Sequence, residues 1–84
     1  MQLSVEVSLY PLHDEYIPII IDFIHRVESY EGIEMERSST STQLFGDYDE
    51  LMRVLSLELK NSWEQHGRSV LVAKFLCGDV RKNP

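Results

Sequence analysis

The chain has 84 residues, 43% of them hydrophobic and 26% charged, which is the balance of an ordinary folded protein rather than a disordered or fibrous one. One domain of this size buries only roughly 60 to 65% of the surface its unfolded form exposes, so its stability as a monomer is thin and a partner is expected. The net charge of -6, from 14 acids against 8 bases, disfavours nucleic acid and anionic membranes, and suits a neutral or cationic ligand.

Residues 2–10, QLSVEVSLY, alternate with Leu3, Val5, Val7 and Leu9 on one side, predicting a strand covered on one face. Pro11 ends it, and Asp14 is the expected N-cap of the next element. Ile17, Ile20, Phe23, Ile24 and Val27 recur at helical spacing to near Tyr30, with Pro18 in the first turn, where a missing amide hydrogen costs little. Residues 17–21 are the longest apolar run and are far too short to cross a bilayer. After the turn at Gly32, Ile33 and Met35 alternate with Glu34 and Glu36 in a second strand whose acidic face discourages edge pairing.

Five hydroxyl residues, Ser38 to Thr42, lead into a third strand running to Phe45 and broken at Gly46. Asp47 and Glu50 have the spacing of a capping box. A second helix follows with Leu51, Met52, Leu55, Leu59 and Trp63 as its apolar stripe, ended by His66-Gly67. Residues 69–77, SVLVAKFLC, form a fourth strand with Leu71, Ala73, Phe75 and Cys77 expected to face the helices, Cys77 as a small core residue.

The order strand, helix, strand, strand, helix, strand predicts one α+β domain over 1–84. Its expected form is the ferredoxin-like βαββαβ sandwich, a four-stranded antiparallel sheet with both helices on one face. The other sheet face is then bare, and Tyr10, Val70 and Val72 make it half apolar, an invitation to a homodimer through the open face or an edge. Cys77 has no internal disulfide partner and no secretion signal precedes the fold, so a cytoplasmic location is expected.

His13, His25 and His66 lack metal-ligand spacing, and no nucleophile elbow or phosphate loop is present, so neither a metal nor catalysis is expected. The hydroxyl run admits two readings. It is a connection in which serine and threonine bond their own backbone, or it brings small donors and acceptors to the mouth of a pocket for a heteroaromatic ring. If Leu44 faces the helices, so do Thr42 and Thr40; if Phe45 does, so do Ser41 and Gln43.

Three stretches, VSLYPL at 7–12, STQLFGDYD at 41–49 and SWEQHGRSVLVAKFLCGD at 62–79, resemble the YkoF-like family of thiamine/hydroxymethylpyrimidine-binding proteins over nearly the whole chain. The resemblance implies a ferredoxin-like domain that binds the pyrimidine moiety without turning it over, needs no cofactor, and serves thiamine salvage, transport support or sensing. It also implies Ser8, Tyr10, Ser41 and Thr42 as ligand-binding residues, with a homodimer supplying the second domain that longer members carry in one chain. Ser38 and Ser39 follow Arg37 where family members often carry acids, which favours a neutral pyrimidine over the cationic thiazolium ring. The alternative is an ACT-like regulatory or assembly module binding an amino acid or a protein partner, although Pro11-Leu12-His13 stands where such modules favour a glycine-bearing loop.

Overall fold

A strand with alternating apolar residues needs cover on one side only, and β1 (Gln2–Pro11) receives it: Leu3, Val5, Val7 and Leu9 are all buried. The computed structural model describes residues 1–82. After β1 come α1 (Tyr16–Glu28), β2 (Glu34–Arg37), β3 (Thr42–Asp47), α2 (Tyr48–His66) and β4 (Ser69–Cys77). The sheet order is β2-β3-β1-β4 with every neighbouring pair antiparallel, and both helices lie on the face of Leu3 and Val5, which is the ferredoxin-like arrangement. Val5 pairs with Leu44 and with Phe75, so Leu44 and Thr42 face the helices while Gln43 and Phe45 face away.

The first helix starts at Glu15 as N-cap, one residue after the expected Asp14, and no side chain caps it. An N-cap oxygen accepts from the second or third helical amide, and the third position here is Pro18, which has none. The His13 ring instead accepts from the Glu15 amide at 3.1 Å. Ile19, Phe23 and Val27 carry the buried stripe, whereas Ile17 in the first turn is exposed.

At the second helix Asp47 accepts from the Glu50 amide at 3.3 Å, as the capping spacing predicts, and Gly67 closes the far end at φ +84°. The stripe is rotated from the expected one. Leu51, Val54, Leu55, Glu58 and Ser62 are buried, while Met52 and Trp63 are exposed. The cause is Glu58, turned toward α1, where the Tyr30 hydroxyl donates to it at 2.5 Å and Arg26 lies 3.9 Å away. Trp63 instead donates its indole hydrogen to the Ser69 hydroxyl at 2.8 Å. Arg26 and His66 also meet Asp22, each at 3.1 Å, so the two helices are joined by a polar seam beside the apolar core.

Gly46 does not break β3: it lies inside the strand, paired with Leu3. A Cβ there would stand 2.8 Å from the Gly32 carbonyl oxygen, so the glycine is needed where the turn after α1 crosses β3. Cys77 is exposed, not a core residue, and Phe75 is half exposed although it faces the helix side. The helices pack over β1 and β3, and β4 lies beyond their cover.

The outer face is not wholly bare. Gly78 turns the chain at φ +97°, and residues 79–82 cross back over the sheet. The Ser4 hydroxyl donates to the Gly78 carbonyl at 2.7 Å and accepts from the Val80 amide at 3.1 Å. Arg81 stacks 3.9 Å from the Phe45 ring centre and pairs with Glu34 at 2.7 Å, which buries Phe45 on the solvent side of the sheet. Tyr10, Val70 and Val72 remain about half exposed.

Gly46→Ala is expected to cost about 2 kcal/mol or more, as overpacking against a backbone oxygen does, read by urea unfolding. Burial raises the pKa of Asp22, but the bonds from His66 and Arg26 outweigh it and leave the carboxyl below its ordinary value. A lowered folded-state pKa gives stability that is present above the unfolded value and lost as pH falls through the folded one. Asp22→Asn should therefore destabilise the wild-type fold near neutrality by about 0.5 to 1 kcal/mol, the range of half-exposed pairs, with the difference shrinking below about pH 4.

Candidate functional site

The two neighbours of β1 differ in length. β4 follows it to Pro11, paired with Ser69, but β3 follows it only to Val7, paired with Thr42. The Tyr48 amide donates to the Met1 carbonyl and the Gly78 amide to that of Gln2, so odd-numbered residues of β1 direct their backbone groups toward β3 and even-numbered ones toward β4. Leu9 is the next odd residue after β3 has ended. Its N–H and C=O point on one side into a gap, without a backbone partner on that side among the described residues.

That gap is one wall of a cleft of about 510 Å³, within the roughly 300 to 1,000 Å³ typical of small-molecule sites. Tyr16, Ile20, Phe23 and Ile24 of α1 form the apolar wall, and Arg37 to Thr42 form the third side.

The hydroxyl run contributes to the cleft through turn chemistry. Ser38 and Ser41 pair by a backbone bond of 2.9 Å, and the Ser38 hydroxyl accepts from the Ser41 amide at 3.1 Å and the Thr40 amide at 3.3 Å. One serine side chain thus does the work of a turn carbonyl, and Thr40 lies outside β3, exposed.

All four residues singled out by sequence line this cleft. They do not share one sheet face. Thr42 is buried on the helix side, and its hydroxyl makes no hydrogen bond among the described residues. Ser8 and Tyr10 belong to the outer face by the alternation of β1, and the Ser41 hydroxyl donates to outer-face Glu6 at 3.3 Å. The cleft therefore wraps round the end of the sheet. Sequence reading missed the Leu9 backbone, whose freedom follows from where a different strand stops, and the ring of Tyr16, which lies before the recognisable helical stripe. Arg37 also lines the cleft, 3.9 Å from Glu28.

The arrangement offers neutral hydroxyls, an amide hydrogen beside a carbonyl, and aromatic rings, the equipment for holding a flat polar ring. Among the described residues no group of three His, Cys, Asp or Glu side chains gathers to hold a metal, and no helix is long and apolar enough to cross a membrane.

The sequence profile of the YKOF-related family matches residues 2–78. The chain belongs to that family. No curated protein matches it. Among solved structures it is similar to a Streptococcus pneumoniae protein, with 25% identity and a TM-score of 0.85 over 99% of this chain and 93% of the other. A candidate thiamine biosynthesis/salvage protein from Thermotoga maritima shares the fold at 18% identity, with a TM-score of 0.79 over 89% and 82%. So does a hypothetical protein from Methanocaldococcus jannaschii, at 21% identity and a TM-score of 0.79 over 99% and 87%.

Ser38→Ala should loosen the cleft's third side. The expected outcome is a loss of about 0.5 to 1 kcal/mol in denaturant unfolding, with faster hydrogen exchange at the Thr40 and Ser41 amides.

Proposed function

We propose that the cleft at the end of β1 binds thiamine or its hydroxymethylpyrimidine moiety without turning it over, in thiamine salvage, transport support or sensing. The observation that carries this reading is the convergence of Ser8, Tyr10, Ser41 and Thr42 on one cleft in a member of the YKOF-related family. The Thermotoga maritima neighbour's link to thiamine biosynthesis or salvage supports it. So does the chemistry. An aminopyrimidine presents a ring-nitrogen acceptor beside an amino donor along one edge, complementary to the free N–H and C=O of Leu9, and its faces suit Tyr10 and Tyr16. The unpartnered Thr42 hydroxyl supplies a further contact.

Charge selects within this ligand class. Arg37 lines the cleft, and its cation works against the thiazolium of intact thiamine while leaving a neutral pyrimidine unaffected. The free hydroxymethylpyrimidine is the preferred ligand on this reading. A homodimer belongs to the same proposal, because the half-exposed Tyr10, Val70 and Val72 leave apolar surface uncovered beside the cleft.

Calorimetric titration tests the proposal. Hydroxymethylpyrimidine should bind more tightly than thiamine and be recovered chemically unchanged. Thr42→Val should cost about 1 kcal/mol, roughly a fivefold loss of affinity, with Ser41→Ala smaller because Glu6 already engages that hydroxyl. Arg37→Ala should strengthen thiamine binding alone. Absence of heat with either ligand at millimolar concentration counts against the reading, and a melting temperature raised by amino acids and not by pyrimidines favours the ACT-like one.

A further inference from the structure

Arg37 is the one charged residue lining the cleft, in a chain where acids outnumber bases by 14 to 8. Its place follows from the alternation of β2. Glu34 and Glu36 turn to the outer face, where both meet Arg81, so Met35 and Arg37 turn to the helix side, and Met35 packs against the core there. Arg37 is also the register partner of Thr42. Residues opposite each other in an antiparallel pair hold their side chains together, roughly 5 Å apart at Cβ. The arginine is thereby set beside the buried, unpartnered Thr42 hydroxyl on the face that opens into the cleft.

Arg26, Arg53 and Arg81 are committed elsewhere, each donating hydrogen bonds from its guanidinium to a carboxylate. The Arg37 guanidinium donates none among the described residues. Its one ionic contact is with Glu28 at 3.9 Å, and both side chains are about half exposed, so the pair holds its cation weakly. In the adjoining turn the Ser38 hydroxyl is occupied by the Thr40 and Ser41 amides, whereas the Ser39 hydroxyl also lines the cleft and has no partner among the described residues. A planar fork of N–H donors without hydrogen bonds, set among neutral hydroxyls, matches the oxygens of a phosphate group.

We infer that the cleft takes the phosphate monoester of the hydroxymethylpyrimidine in preference to the free alcohol, with the Arg37 guanidinium and the Ser39 hydroxyl donating to the phosphate. The inference rests on the pyrimidine reading of the same cleft and adds the anion to it. The hydroxymethyl oxygen is the position at which that ligand can be esterified, and a phosphate there brings roughly -1.5 to -2 charges near neutrality with three strong acceptor oxygens. Free hydroxymethylpyrimidine outranks thiamine because it lacks a positive charge; its phosphate ester gains a negative one. One residue therefore ranks three related ligands. The net charge of -6 repels an anion at long range, but at physiological salt a Debye length of about 8 Å confines that repulsion to acids close by. Of these Glu28 is the one that contacts Arg37.

Calorimetric titration of the intact protein with the ester and the free alcohol, side by side, tests the inference. The ester should bind about tenfold more tightly or better, as charge-assisted hydrogen bonds give, and the margin should narrow as salt is raised. Arg37→Gln should remove most of the margin, and Arg37→Lys, which keeps the charge and loses the fork, should retain part of it. Ser39→Ala should narrow it by about twofold to fivefold. Glu28→Gln should widen it, because the guanidinium loses its competing carboxylate, and a gain of this kind cannot come from a damaged fold. Equal affinity for the two ligands, or a margin that survives Arg37→Gln, overturns the inference and leaves the pyrimidine reading standing. Binding of neither ligand removes both.

Discussion

The unequal pairing of β1 underlies most of what is distinctive in this molecule. Its ten residues are matched almost completely by β4, yet β3 abandons it after Val7. On the β3 side the shortfall frees the Leu9 backbone and opens the space that α1 and the serine turn enclose. On the β4 side the full match extends that strand well past the reach of the helices, and of its outward backbone groups only the Ser69 carbonyl has a partner among the described residues. Had β3 followed β1 to its end, the cleft would be closed by strand pairing.

The core that supports this is apolar on the sheet and mixed between the helices. Leu44, Leu51 and Val54 are fully enclosed, whereas α1 and α2 meet through Asp22, Arg26, Tyr30, Glu58 and His66. A hydroxyl bonded to a buried carboxylate resists sliding of one helix over the other, because any slip would leave Glu58 without its partner. The Tyr30 hydroxyl accordingly gives up its proton less readily than usual, chiefly through its bond to Glu58. The helix that walls the cleft is thereby held in register from its far end.

Much of this architecture is legible in the sequence, and the exceptions share a cause. The alternation of β1, the Asp47 cap and the strand order follow from local patterns. Gly46 reads as a breaker because the oxygen that forbids a side chain there belongs to Gly32, fourteen positions away by their numbers. Trp63 and Met52 read as core because they are large and apolar at helical spacing, whereas the buried face includes Glu58, which meets Tyr30. Cys77 and Phe75 have the inward parity expected of them, but parity gives a direction and not the extent of cover. Within the hydroxyl run, the turn role of Ser38 and the strand role of Thr42 are separable only once the register of β3 is known.

The sheet also joins its first strand to its fourth, since Ser4 holds Gly78 across 74 positions and β1 finds its full-length partner only in β4. Contacts so distant in sequence carry a large loop-closure cost before they give any return, and they slow folding. During synthesis the central strand must wait, with one row of hydrogen-bonding groups unmet, until β4 has been made. A product stalled before β4 is made would expose β1 itself as an open edge, with its alternating apolar residues and a single acid, Glu6. For this fold the arrival of β4 and the cover of the second side of the central strand are the same event.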